Sequence, residues 1–108
     1  MSHFTQIPTK INDIEALKAA LTKSGVSFHE RAEVHGYQGQ TLRADVSIHY
    51  ADGYDIGIVR GEDGTCSLVA DWWGIETMTG KAEGEVVGEI VRGYALEKVR
   101  AACTLDGW

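Results

Sequence analysis

The sequence predicts an α+β fold: a helix, a four-stranded antiparallel meander and a second helix, with both helices on one face of the sheet. Three observations carry that reading. Apolar residues recur at helical spacing near the start and near the end of the chain. Between those segments the apolar period drops to two, the mark of half-buried strands. Two Asp-Gly pairs, Asp52-Gly53 and Asp63-Gly64, punctuate the alternating stretch as hairpin turns.

The first helix is predicted over residues 13–24. Asn12-Asp13-Ile14-Glu15 reads as a capping box, in which the Asn12 side chain accepts from the Glu15 amide. Ile14, Leu17, Ala20 and Leu21 form its apolar stripe, and Gly25 is a natural stop. Val26, Phe28, Ala32 and Val34 then share one parity, with His29, Arg31 and Glu33 on the other, which gives the first strand. The stretch from His35 to Gln40 reads as a loop. Leu42, Ala44, Val46, Ile48 and Tyr50 alternate with Arg43, Asp45, Ser47 and His49, the cleanest strand pattern in the chain. Tyr54, Ile56 and Ile58 mark a third strand; Cys66, Leu68, Ala70 and Trp72 mark a fourth. The last helix is predicted over residues 82–103 from Val87, Val91, Tyr94, Ala95, Val99 and Ala102. Gly84 and Gly88 weaken its first turns, and with Ala95 and Ala102 they line a small-residue stripe suited to close packing.

Turn length fixes strand register, and register fixes which side chains share a face. A two-residue Asp-Gly loop would put the apolar rows of neighbouring strands on opposite faces. A three-residue loop, a type I turn with glycine in the left-handed region, restores agreement. It sets Tyr50 opposite Tyr54, Ile48 opposite Ile56, Ile58 opposite Leu68 and Tyr54 opposite Trp72. The opposite face then carries His49 across from Asp55, and Asp55 across from Asp71, with Trp73 beyond. Facing carboxylates repel, so a protonated His49, a cation or an arginine is expected to offset them. One histidine and two carboxylates would suit an oxygen-preferring divalent cation or acid–base work. The plainer alternative is a solvated sheet face, where such residues are ordinary. His3, His29 and His35 read as isolated surface or loop residues. Trp73 reads either as a contact point for a partner or as a side chain tucked under a loop at 74–81.

Size and charge narrow the field. The 108 residues are one domain on length, and 44% hydrophobic with 24% charged residues is ordinary globular usage. A net charge of −6 with scattered basic residues excludes a nucleic-acid-binding stripe and disfavours anionic membranes. No apolar run is long enough to span a bilayer, and the first residues lack the character of a signal peptide, so the expected setting is the cytoplasm. Cys66 and Cys103 form no metal or redox motif and are expected as buried thiols. No cofactor motif is present: the glycines at 57, 61 and 64 match neither dinucleotide nor phosphate loops.

The opening Met1-Ser2-His3-Phe4-Thr5-Gln6-Ile7, the stretch from Gly36-Tyr37 to Ala44-Asp45-Val46, the hairpin Gly53-Tyr54-Asp55-Ile56-Gly57 and the segment Leu68-Val69-Ala70-Asp71-Trp72-Trp73-Gly74 together resemble the hypothetical chloroplast open reading frame thirty-five family. That family is a domain of unknown function found in cyanobacteria, red-algal plastids and other bacteria. The resemblance covers most of the first seventy-four residues. It implies a cytosolic or stromal protein of an accessory kind, with no activity or catalytic residues to carry over. Family members run on past the last helix into further strand structure, whereas this sequence stops at Trp108; an open sheet edge and a dimer or partner complex are expected on that ground.

Three functions follow. The first is a non-enzymatic accessory protein that binds another protein, or a second copy of itself, through the sheet edge or the Trp73 face. The second is a metal-binding domain or enzyme using His49, Asp55 and Asp71. The third is a small-ligand sensor with a pocket around Trp73, Tyr37 and the loop after Gly74.

Overall fold

The computed structural model describes residues 4–36, 39–51 and 53–105. The elements run β1 (Thr5–Pro8), α1 (Ile14–Lys23), β2 (Phe28–His35), β3 (Thr41–Ala51), β4 (Tyr54–Arg60), β5 (Cys66–Ala70), α2 (Trp72–Thr79) and α3 (Glu83–Leu105). Among the described residues the strands form one antiparallel five-stranded sheet in the order β1-β5-β4-β3-β2. The α+β class and the β2-to-β5 meander match the sequence reading. β1 and α2 are additions to it.

α1 begins one residue later than its capping box implied. The cap is Asp13, whose Oδ1 accepts from the Ala16 amide at 3.1 Å. Asn12 instead accepts from the Tyr94 hydroxyl at 3.0 Å and so links the helix start to α3. α3 starts at Glu83 despite Gly84 and Gly88; the packing of its apolar face outweighs the weak propensity of its first turns. One core lies between the sheet and the helices. Leu17 and Leu21 of α1, Trp72 and Ile75 of α2 and Val86 of α3 meet Val46, Ile48, Ile56, Ile58, Leu68 and Ala70 of the sheet. Each of those large side chains contributes about 1.5–3 kcal/mol by leaving water.

The register holds where it was most constrained. Ile48 faces Ile56, His49 faces Asp55 and Ile58 faces Leu68. At the second turn the Gly64 amide donates to Gly61 O, the Gly61 amide donates to Thr65 O, and Gly64 has φ +87°, as a type I turn with a left-handed glycine requires. At the first turn Gly53 is also left-handed, but Ala51 rather than Tyr50 faces Tyr54, with the irregularity between His49 and Ala51.

The largest departure is at the C-terminal end of β5. The strand stops at Ala70, so Tyr54 does not face Trp72, and Asp55 does not face Asp71 across a ladder. Asp71 is the N-cap of α2: its Oδ1 accepts from the Gly74 amide at 3.0 Å. Gly74 hid this helix by looking like a loop residue. Its absent side chain is needed, because the Tyr54 ring lies where a Cβ would stand. The stretch read as a loop over 74–81 is therefore mostly helix, closed by Gly80 in the left-handed region. β1 runs beside β5, and the Trp72 indole N–H donates to Thr5 O at 2.8 Å, tying the two additions together.

The sheet face away from the helices is also not flat. Arg31 has φ +51°, and its place in the β2–β3 ladder, between Glu30↔Val46 and Ala32↔Ala44, is unpaired. There the hairpin bends. Gly57 points away from the helices, being adjacent in β4 to core residues Ile56 and Ile58. A Cβ on it would lie 2.6 Å from Val34 Cγ2, 2.9 Å from Val69 Cγ1 and 3.0 Å from Ala44 Cβ. The far half of the hairpin is thus folded over β4 and β5, and Val34 is fully buried there, outside the main core.

A histidine–carboxylate–histidine cleft

The bend brings together residues that are far apart in sequence and unremarkable singly. Asp55 lies on β4 beside His49 of β3, on the face away from the helices. The folded-over end of β2 delivers His35 to the same carboxylate. His35 Nδ1 is 2.6 Å from Asp55 Oδ2, and the His35 amide donates to that oxygen at 2.8 Å. His49 Nδ1 is 3.1 Å from Asp55 Oδ1. Asp55 is buried at 5% exposure, whereas both imidazoles stand more than half exposed.

Burial on its own pushes the Asp55 carboxyl up. The His35 imidazole and amide, and then the His49 imidazole, outweigh it and hold the group below its ordinary range. Asp55 is therefore a carboxylate at neutral pH. A carboxylate only accepts, so both Nδ1 atoms must carry their protons and donate. That fixes the tautomer: in each neutral ring the lone pair sits on Nε2, on the side away from Asp55. A cleft of about 350 Å³ opens over these rings, lined also by His29, Ala32, Glu33, Ser47 and Gly53. Ser47 is buried, and its hydroxyl donates to Glu33 O at 2.9 Å, stitching the bend closed.

Of the four residues singled out from the sequence, His49 and Asp55 meet as expected. Asp71 does not join their row; it is buried at the start of α2, with its Cβ 3.4 Å from where a Cβ on Gly36 would lie. Trp73 is not on the sheet face at all. It sits in the first turn of α2 and is 55% exposed, while its neighbour Trp72 is in the core. Tyr37, named for a ligand pocket, lies outside the described residues, as do Met1, Ser2, His3 and the last three residues. His35 was missed. Its signal was present only as a polar residue ending a strand of alternating pattern; the bend that gives it a partner depends on Arg31, whose left-handed backbone no propensity announces.

Among the described residues no three His, Cys, Asp or Glu side chains converge to hold a metal ion. Both cysteines are free thiols; Cys66 is buried and burial pushes its thiol up, while Cys103 is only partly buried. The described residues contain no helix long and apolar enough to cross a membrane. Trp73, Met78, Leu96 and Val99 are the exposed large apolar side chains among them.

The family described as "Protein of unknown function (DUF1257)" matches residues 20–108. An uncharacterized protein ycf35 from Guillardia theta is 34% identical over 89 residues, covering 75% of this chain and 68% of that protein. Its namesake from Cyanophora paradoxa is 35% identical over 72 residues, covering 66% of this chain and 56% of that protein. The chain thus spans just over half of the second relative and about two-thirds of the first. No solved structure matches.

Proposed function

We propose, starting from the fact that the chain belongs to the family of proteins of unknown function DUF1257, that it is a non-enzymatic accessory protein that acts by binding a partner protein at the histidine-lined cleft. One observation carries this reading: a single buried carboxylate spends both its oxygens on holding two imidazoles over a concave surface. Fixing side chains that way pre-organises a binding surface. Binding rather than catalysis is supported by what Ser47 of the cleft lining does: its hydroxyl is committed to Glu33 O.

The sheet edges are poorer docking sites than the sequence suggested. β1 is short and ends in Pro8, and β2 carries charged residues and the kink at Arg31; both devices discourage strand addition. The exposed Trp73 offers a separate apolar contact for the same partner or for a second copy of the chain. The resemblance to a chloroplast-encoded family favours the cytoplasm, or the plastid stroma for an organellar gene. A second reading, a small-ligand site, rests on the same cleft and its volume.

The test is site-specific cross-linking in the native cell. A benzoylphenylalanine replacing Ala32, which lines the cleft, should give one defined protein adduct, identified by mass spectrometry. The same group replacing exposed Glu62 in the β4–β5 turn should not, and His35→Ala/His49→Ala should abolish the adduct. Equal adducts from both positions, or none, would overturn the reading.

A further inference from the structure

Resting on that reading of the cleft, we infer that the group it receives is a cation of the lysine or arginine class, presented by the partner. The polar lining determines the sign. On β2 it offers His29, Glu33 and His35; on β3, Ser47 and His49; on β4, Asp55. Among the described residues no lysine or arginine lines it. With both Nδ1 atoms engaged by Asp55, the rings of His35 and His49 turn Nε2 outward, and in the neutral ring that atom carries the lone pair. Ser47 has given its proton to Glu33 O, so its oxygen has only lone pairs left for the cleft. Glu33 adds a carboxylate. Glu33, His35, Ser47 and His49 thus each turn an acceptor toward the cleft.

An ammonium brings three donors and no acceptor, and a guanidinium brings five in a fixed fork. A carboxylate or phosphate would meet acceptors at Glu33, His35, Ser47 and His49. The volume, about 350 Å³, is at the small end of ligand sites and suits one long side chain better than a large molecule. The net charge of −6 draws a basic surface toward the chain before contact.

The probe is Nα-acetyl-lysinamide titrated into ¹⁵N-labelled protein at pH 8.0, with uncharged Nα-acetyl-norleucinamide and acetate as controls. Saturable amide shifts are expected at His29, Glu33, His35, Ser47 and His49 with the lysine probe only. Glu33→Gln and His49→Phe should each weaken binding while leaving distant amides in place. No saturable shift, equal binding of norleucinamide, or preference for acetate would overturn the inference. A cross-linked partner with no lysine-probe response sinks the inference and spares the proposed function. A lysine-probe response with no cross-linked partner does the reverse, leaving a small-cation site.

Discussion

The two faces of this sheet are covered by different means. On one face, α1, α2 and α3 bury a continuous apolar layer in which Ile48, Ile56, Ile58 and Leu68 are almost fully enclosed. On the other, the protein covers itself with its own hairpin, bent at Arg31, and secures the fold-over with polar links: His35 and His49 to Asp55, and Ser47 to Glu33 O. The first face is held by area, which is non-directional and tolerant of detail. The second is held by geometry, which is not. A binding site is expected where positions are fixed by directional bonds and the surface stays open, which is the second face.

That contrast can be broken first where it is largest. Ile56→Ala removes a fully buried side chain from the helix-covered face. It should cost about 2–5 kcal/mol in urea unfolding, through lost burial and the cavity left behind. The His35 and His49 ring signals should keep their positions until global unfolding. A cleft that rearranges in native buffer would mean that the two faces are one cooperative layer.

The next effect tests the fold-over itself. Gly57→Ala places a methyl group against Val34, Val69 and Ala44. Overpacking of that kind costs about 1–3 kcal/mol. Val34→Ala should make room, so the double variant should be less damaged than the sum of the singles by more than about 0.5 kcal/mol, beyond what independent sites show. Strict additivity would mean that the hairpin does not lie over β4.

Sequence periodicity saw the first face well and the second barely. Alternation from Leu42 to Tyr50 and the left-handed glycines at both turns set a register that brought Ile48 to Ile56 and His49 to Asp55. The same alternation, extended through Trp72, missed that Asp71 is a better helix cap than strand residue. β1 escaped because four residues ending in proline carry no period. Half of the candidate site was legible, because His49 and Asp55 are cross-strand neighbours and register is a sequence property. The other half was not, because His35 reaches Asp55 only through a bend, and a bend is decided by what Val34 and Ala44 can bury once folded over.

The smallest effect is the most specific to the second face. Asp55 has a folded-state pKa lowered by the two histidines against the pull of burial. A depressed carboxylate binds protons less readily folded than unfolded, so it stabilises the fold above the unfolded value near 3.9 and loses that contribution as pH falls through the folded value. Asp55→Asn keeps shape but removes the charge and offers an N–H₂ to one imidazole that needs an acceptor. It should destabilise the protein at pH 7 by on the order of 1 kcal/mol, the worth of a hydrogen bond or somewhat more. The gap between wild type and variant, read by urea unfolding at pH 5, 4 and 3, should narrow toward the acid end, because there the wild-type carboxyl is also losing its charge. Asp13 and Asp63, whose carboxyls are lowered too but stand at the surface, remain in both proteins and cancel in the difference. A gap that stays constant with pH would show that the carboxylate is not what holds the imidazoles, and the bend would then owe its position to Val34 and Ala44 alone.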